Sequence, residues 1–178
     1  MVIYYSSFAD KRVITCDDVE DFLIHTREES EFSLFGYIAK GKLESSLECL
    51  QTILHMSDAN AAAATVVSRL AGYFRKALAI HRNMQNGLGI DEALKTRTLD
   101  LDRGITMPKD KDIYKSAVSR YNMNDIKRIL ICLARYDVQV KEVGALMQQT
   151  VLEKCISDII VHKGGKGPKL EFASLRQR

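Results

Sequence analysis

Four histidines, His25, His55, His81 and His162, are the first residues to weigh as metal ligands or proton carriers. No two of them stand three or four residues apart, so none form the helical pair that grips zinc from one face. The four cysteines, Cys16, Cys49, Cys132 and Cys155, include no CxxC and have no histidine at ligand spacing. That pattern indicates neither a zinc site nor a dense disulfide framework, and a reducing cytoplasm fits it best. Adjacent carboxylates such as Asp17 and Asp18, or Glu28 and Glu29, diverge on a helix and suit capping and solvation better than shared acid and base work. The glycine cluster Gly164, Gly165 and Gly167 beside Lys166 follows an expected helix instead of linking a strand to one, so it does not make a phosphate loop. No Ser, Cys or Thr sits in a nucleophile motif. The expectation is a chain without a catalytic site, cofactor or metal.

Two weaker signals concern binding. Tyr73, Tyr121 and Tyr136 lie near Arg75, Arg120 and Arg135 and could stack on single-stranded bases; the more ordinary reading is that they border a helical core. Asp137 and Lys141 stand at the favourable i, i+4 order, worth only ~0.3 kcal/mol on an exposed helix. The net charge of +3 hides an asymmetry, since residues 1–102 carry 11 basic and 15 acidic side chains (net −4) and residues 103–178 carry 15 and 8 (net +7). A basic half can face nucleic acid or an acidic protein surface; a solvated helical face plus a basic tail is the plainer alternative.

The elements that would position these residues read as helices throughout. With 178 residues, 46% hydrophobic, 28% charged, and only two prolines and ten glycines, the chain has little material for turn-rich β architecture. The apolar start Val2–Tyr5 reads as the stub of an interrupted element. Asp17 and Asp18 open a short helix reaching about His25. Ser30 is the expected cap of a second, with Phe32, Phe35, Ile38 and Ala39 on one face and Gly41 as its stop. Leu43, Leu47, Leu50 and Leu54 make the stripe of a third. A long helix from about Asn60 to Gln85 places Val67, Leu70, Phe74, Leu78 and His81 on one face, and Asn86 and Gly87 end it. A shorter helix from Asp91 to about Thr98 precedes an expected loop from Leu99 to Pro108. Lys109–Tyr121 then turns Ile113, Ala117 and Val118 inward. Asn124 is the expected cap of the next helix, with Ile126, Ile129, Leu130, Leu133 and Ala134 as its core stripe. The last, about Leu146–Val161, repeats the period with Val151, Leu152, Cys155, Ile156, Ile159 and Ile160. Residues 163–178 hold three glycines, Pro168 and five basic residues, a composition that cannot order itself by burial. The sum is an all-α bundle of seven or eight helices without a fixed repeat. The longest apolar run, Ala59–Val67, is too short to span a bilayer, so neither export nor membrane insertion is expected.

Taken in order, these segments resemble the delta subunit of the bacterial DNA polymerase III clamp loader over about residues 8–162. Val13, Ile14 and Thr15 leading to Asp18 and Val19 resemble the last helix of an AAA+ lid domain. Phe32, Leu34, Phe35, Ile38, Gly41, Lys42 and Leu47 resemble the opening of the family's collar domain. Leu70, Phe74, Arg75 and Leu78 fall in the register of its long helix, with Gly87 at the stop; Leu130, Leu133, Asp137 and Lys141, then Leu152 and Glu153, match its closing helices. The chain departs from the family in a more charged connection from Leu99 to Lys111, and in having no aromatic residue from Glu142 to Gln149 to touch DNA.

The resemblance implies a lid remnant (1–28), a helical collar domain (29–162) and a flexible basic tail (163–178). It implies a non-catalytic scaffold that joins a ring of collar domains from gamma/tau and delta prime type subunits in the cytoplasmic replisome. The AAA+ module that meets the sliding clamp would lie ahead of Met1, and DNA contact would be indirect. Arg128, Arg135 and Lys141, in the basic half, are the candidate partner-interface residues. The alternative is a helical DNA-binding or protein-binding regulator unrelated to clamp loading; against it, no tight glycine turn precedes a polar base-reading helix. A small helical enzyme, with a site assembled from distant helices, is the third reading.

Overall fold

The computed structural model describes residues 31–55, 59–98, 101 and 104–165, and the side chains of 59–61, 145 and 146 fall outside that description. The expected helix from Asp17 to His25, the lid remnant and residues 166–178 lie outside the described residues. Within them the elements are helices: α1 over 31–40, α2 (Leu43–His55), α3 (Ala59–Gln85), α4 (Ile90–Lys95), α5 (Pro108–Arg120), α6 (Met123–Glu142) and α7 (Ala145–Ile160). No β-strand occurs among the described residues; a single antiparallel bridge joins Thr98 to Leu101. The chain is all-α over these residues, as its periodicity requires.

The long helix α3 is the axis of the bundle. It packs most extensively on α6, and also meets α2, α4, α5 and α7. Its expected face is buried, with Val67, Leu70 and Phe74 at most 2% exposed and Leu78 at 6%. Its 27 residues end at Asn86 and Gly87, where φ reaches +90° and the Gly87 N–H closes on the Met84 carbonyl.

An aromatic cluster fastens α1 and α5 to this axis. Phe35 meets Phe74 edge-on at 5.4 Å, and Phe74 meets Tyr121 edge-on at 5.8 Å. Phe32, Tyr73 and Tyr114 surround Phe35 at ring separations of 5.2–6.1 Å. These are the separations and tilts at which ring quadrupoles attract. Tyr121 is wholly buried, and its hydroxyl donates to the Ile38 carbonyl at 3.0 Å. His81, on the same side of α3, hydrogen-bonds the Tyr121 carbonyl through Nε2 at 2.8 Å. Tyr121 thus belongs to the core and Tyr73 borders it, in line with the plainer of the two readings.

Several boundaries and registers differ from expectation. α6 is capped by Asn122, not Asn124. Asn122 Oδ1 accepts from the Asp125 N–H at 2.9 Å, and Asp125 Oδ2 accepts from the Asn122 N–H at 3.2 Å. That reciprocal box needs an acid three residues after the cap, a partner that Asn124 lacks. On α2 the stripe is rotated: Leu50 and Ile53 are buried with Ser46, while Leu43, Leu47 and Leu54 only border the core. In the expected loop from Leu99 to Pro108, residues 104–107 are non-helical as expected, but Leu101 is wholly buried and the Ile105 N–H bonds the Leu94 carbonyl at 2.8 Å. Residues 163–165, the first of the expected tail, turn back and seat Gly164 on α6.

Candidate protein-docking face

The face begins with how α6 is held. Asp125 is 2% exposed and accepts from the Asn122 N–H, from the Arg128 guanidinium and, at 3.5 Å, from Lys163 Nζ. Burial pushes its carboxyl up, but the Asn122 N–H, Arg128 and Lys163 together outweigh burial and hold its pKa below the ordinary carboxylate value. α6 is thereby tied at its N-terminus to the turn after α7. Farther along, the Tyr136 hydroxyl donates to Asp158 on α7 at 2.7 Å. Ile126, Ile129, Cys132, Leu133, Tyr136 and Val140 fill the inner side of α6.

The outer side is not uniformly polar. Ile131 is 61% exposed and Val138 53%, and Ala134 between them is exposed as well. At about 100° per residue these three fall within a sector of about 60°, so they form one apolar line running along the helix. Lys127 and Lys141 stand at the two ends of that line, and Arg128 and Arg135 flank one edge of it. Ala134 was expected in the core stripe. It lies outside because the turn that buries Ile126, Ile129 and Leu133 carries the next position past the edge of the buried sector.

The other edge of the line falls into a groove of about 650 Å³ between α3 and α6. Ala64, Ser68 and Ala71 on α3 are too short to fill it; Leu130 and Leu133 form its α6 wall, and Arg75 and Lys141 stand on its rim. Arg69, also on the rim, pairs with Glu31 at 3.3 Å. Lys141 pairs with Asp137 at 2.6 Å, as its spacing predicted.

The three expected interface residues are therefore on one helix but not in one place. Arg128 and Arg135 share an edge, seven residues apart. Lys141 stands about 120–140° around the helix from them, on the groove. What brings them into one surface is the apolar line between them, which sequence reasoning missed. Its signal was present, as Ile131 and Val138 repeat at i, i+7 on the side opposite the core stripe.

A second grouping was also missed. Cys132 on α6 and Cys155 on α7, 23 positions apart in sequence, meet with each only 1% exposed. The hydrogen bond to Cys132, and then burial, hold the Cys155 thiol well above its usual value, which leaves it protonated and unreactive. Among the described residues no three His, Cys, Asp or Glu side chains gather where they could hold a metal ion. No helix of the described residues is long and apolar enough to cross a membrane. Comparison with protein-family models, curated proteins and solved structures gives no match for this chain.

Proposed function

We propose that this chain is a non-catalytic helical scaffold that joins a multi-subunit assembly through the outer face of α6. The observation that carries the proposal is the exposed line of Ile131, Ala134 and Val138, bordered by Lys127, Arg128, Arg135 and Lys141. An apolar centre inside a charged rim is the anatomy of a protein interface, where the centre supplies affinity and the rim excludes water and sets the partner's charge. A nucleic-acid surface would instead concentrate its cations where the phosphates lie, and two large aliphatic side chains would not occupy the middle.

The assembly we propose is a bacterial clamp loader, with this chain in the place of the delta subunit's collar domain. Support comes from the ordered resemblance of the segments quoted above. Among those residues, Leu34, Phe35, Ile38, Leu70, Phe74, Leu133 and Leu152 are core residues, each at most 2% exposed.

The test is co-expression of the full chain with gamma/tau and delta prime type loader subunits, followed by size-exclusion chromatography with mass measurement. Co-elution in a complex of defined stoichiometry is the expected result. Elution of the chain alone, together with a gel shift of duplex DNA at micromolar protein, would replace the proposal with the DNA-binding regulator.

A further inference from the structure

We infer that the outer face of α6 and the adjoining α3–α6 groove form the seat of one acidic amphipathic helix from a partner protein. The inference rests on the scaffold reading and specifies the chemistry of what docks.

Charge supplies the first argument. On the α3 side of the groove stand two arginines, Arg75 and the Glu31-paired Arg69, and no carboxylate of α3. On α6, Asp125 is buried against Arg128 and Lys163, and Asp137 is engaged by Lys141. Lys127 and Arg135 form no ion pair among the described residues, and against them stands one exposed carboxylate of α6, Glu142, so the rim carries a net positive charge.

Shape supplies the second. Ile131 and Val138 are about 10 Å apart along the helix axis, and Lys127 and Lys141 about 21 Å apart, the reach of roughly four turns of a second helix. The short side chains Ala64, Ser68 and Ala71 keep the groove open beside that line. A helix laid there meets apolar atoms along its own i, i+3 or i+4, i+7 stripe, and its flanking positions face the cations.

The same charges decide against a second copy of this chain as occupant. Two such faces in contact would set the unpaired Lys127 and Arg135 against like charges in a desolvated interface. The occupant must bring carboxylates.

The test uses the full chain and a fluorescently labelled synthetic helix with leucines on one stripe and glutamates elsewhere. Its controls are the same peptide with lysine replacing every glutamate, and a labelled DNA duplex. Anisotropy titration is expected to show saturable binding of the glutamate peptide, weakened at least tenfold by Ile131→Asp and by the double variant Arg135→Glu, Lys141→Glu. Raising the salt concentration should weaken it further, because rim charges are screened within about a Debye length. Since these side chains are exposed, the variants should keep the parent's circular dichroism and melting temperature.

Equal binding of the lysine peptide, tighter binding of the duplex, indifference to Ile131→Asp, or no peptide binding each overturns the inference. Co-elution with loader subunits separates the two levels. If Ile131→Asp and Val138→Asp still co-elute, the inference is overturned and α6 is not the docking face; of the scaffold reading, only membership of the assembly stands, through another surface. If the parent chain never co-elutes, the scaffold reading falls and the peptide titration still decides the chemistry of the face.

Discussion

Replacing Gly164 by alanine places one methyl group where the structure has no room for it. Gly164 has φ +74°, and its N–H donates to the Asp158 carbonyl at 3.0 Å, closing the turn after α7. A Cβ at this position would lie 2.5 Å from the Ile129 backbone nitrogen and 2.7 Å from both the Arg128 carbonyl carbon and the Ile129 Cα. None of these is the tip of a flexible side chain, so no rotamer change relieves the clash. The left-handed backbone costs an L-residue about 1–2 kcal/mol. Overpacking against a fixed neighbour adds about 1–3 kcal/mol. The sum is roughly 2–5 kcal/mol, and at about 2–4 °C per kcal/mol for a chain of this length the melting temperature falls by roughly 4–20 °C.

The assay is thermal unfolding by far-ultraviolet circular dichroism. Gly72→Ala is the matched control. Gly72 lies inside α3 with nothing within 4 Å of an added Cβ, so the same substitution there removes only the entropic penalty of glycine in a helix. It should raise stability by about 0.5–1 kcal/mol. Opposite signs for one chemical change at two sites is the expected result. If Gly164→Ala melted within about 2 °C of the parent, the turn would not be seated on α6, and the tie from Lys163 to Asp125 would fall with it.

Three other outcomes follow from the same contacts. Asp125 has a pKa depressed below its unfolded value of about 3.9, so its stabilisation is complete above that value and is lost as pH falls through the folded pKa. The stability gap between the parent and Asp125→Asn, read from urea unfolding, should therefore be greatest near neutral pH and narrow below about pH 4; a gap independent of pH would refute the ion-paired account. Asn83 is buried and donates through Nδ2 to the Ala93 carbonyl at 3.1 Å, joining α3 to α4. Asn83→Ala orphans that acceptor and should cost about 1–3 kcal/mol in the same assay. Tyr121→Phe should cost only about 0.5–1.5 kcal/mol, because the Ile38 carbonyl that loses the hydroxyl still accepts from the Gly41 N–H at 2.9 Å.

Helix order and the buried face of α3 were legible because 3.6-residue periodicity is a local property of the chain. The stops at Gly41 and Gly87 were legible for a similar reason, since few residues close a helix as glycine does. The cap of α6 was misplaced by two residues. Asn122 and Asn124 are equivalent as amino acids, and only the position of Asp125 three residues after Asn122 distinguishes them. On α2, four leucines suggested a stripe, but the helices around it turned Ile53 inward and left Leu43, Leu47 and Leu54 at the margin.

By itself, then, the sequence determined an all-helical chain over the described residues, which segments are helices, and that cations accumulate in its second half. Only the tertiary structure decided which apolar residues stay outside. Ile131 and Val138 are as hydrophobic as Ile126 and Ile129, and exposure falls to the former pair because α3 and α7 cover the other side of α6. The meeting of Cys132 with Cys155 was likewise settled by helix packing, and so was the separation of Lys141 from Arg128 and Arg135. A pattern along one helix specifies angles about its own axis, and burial depends on which neighbours occupy those angles.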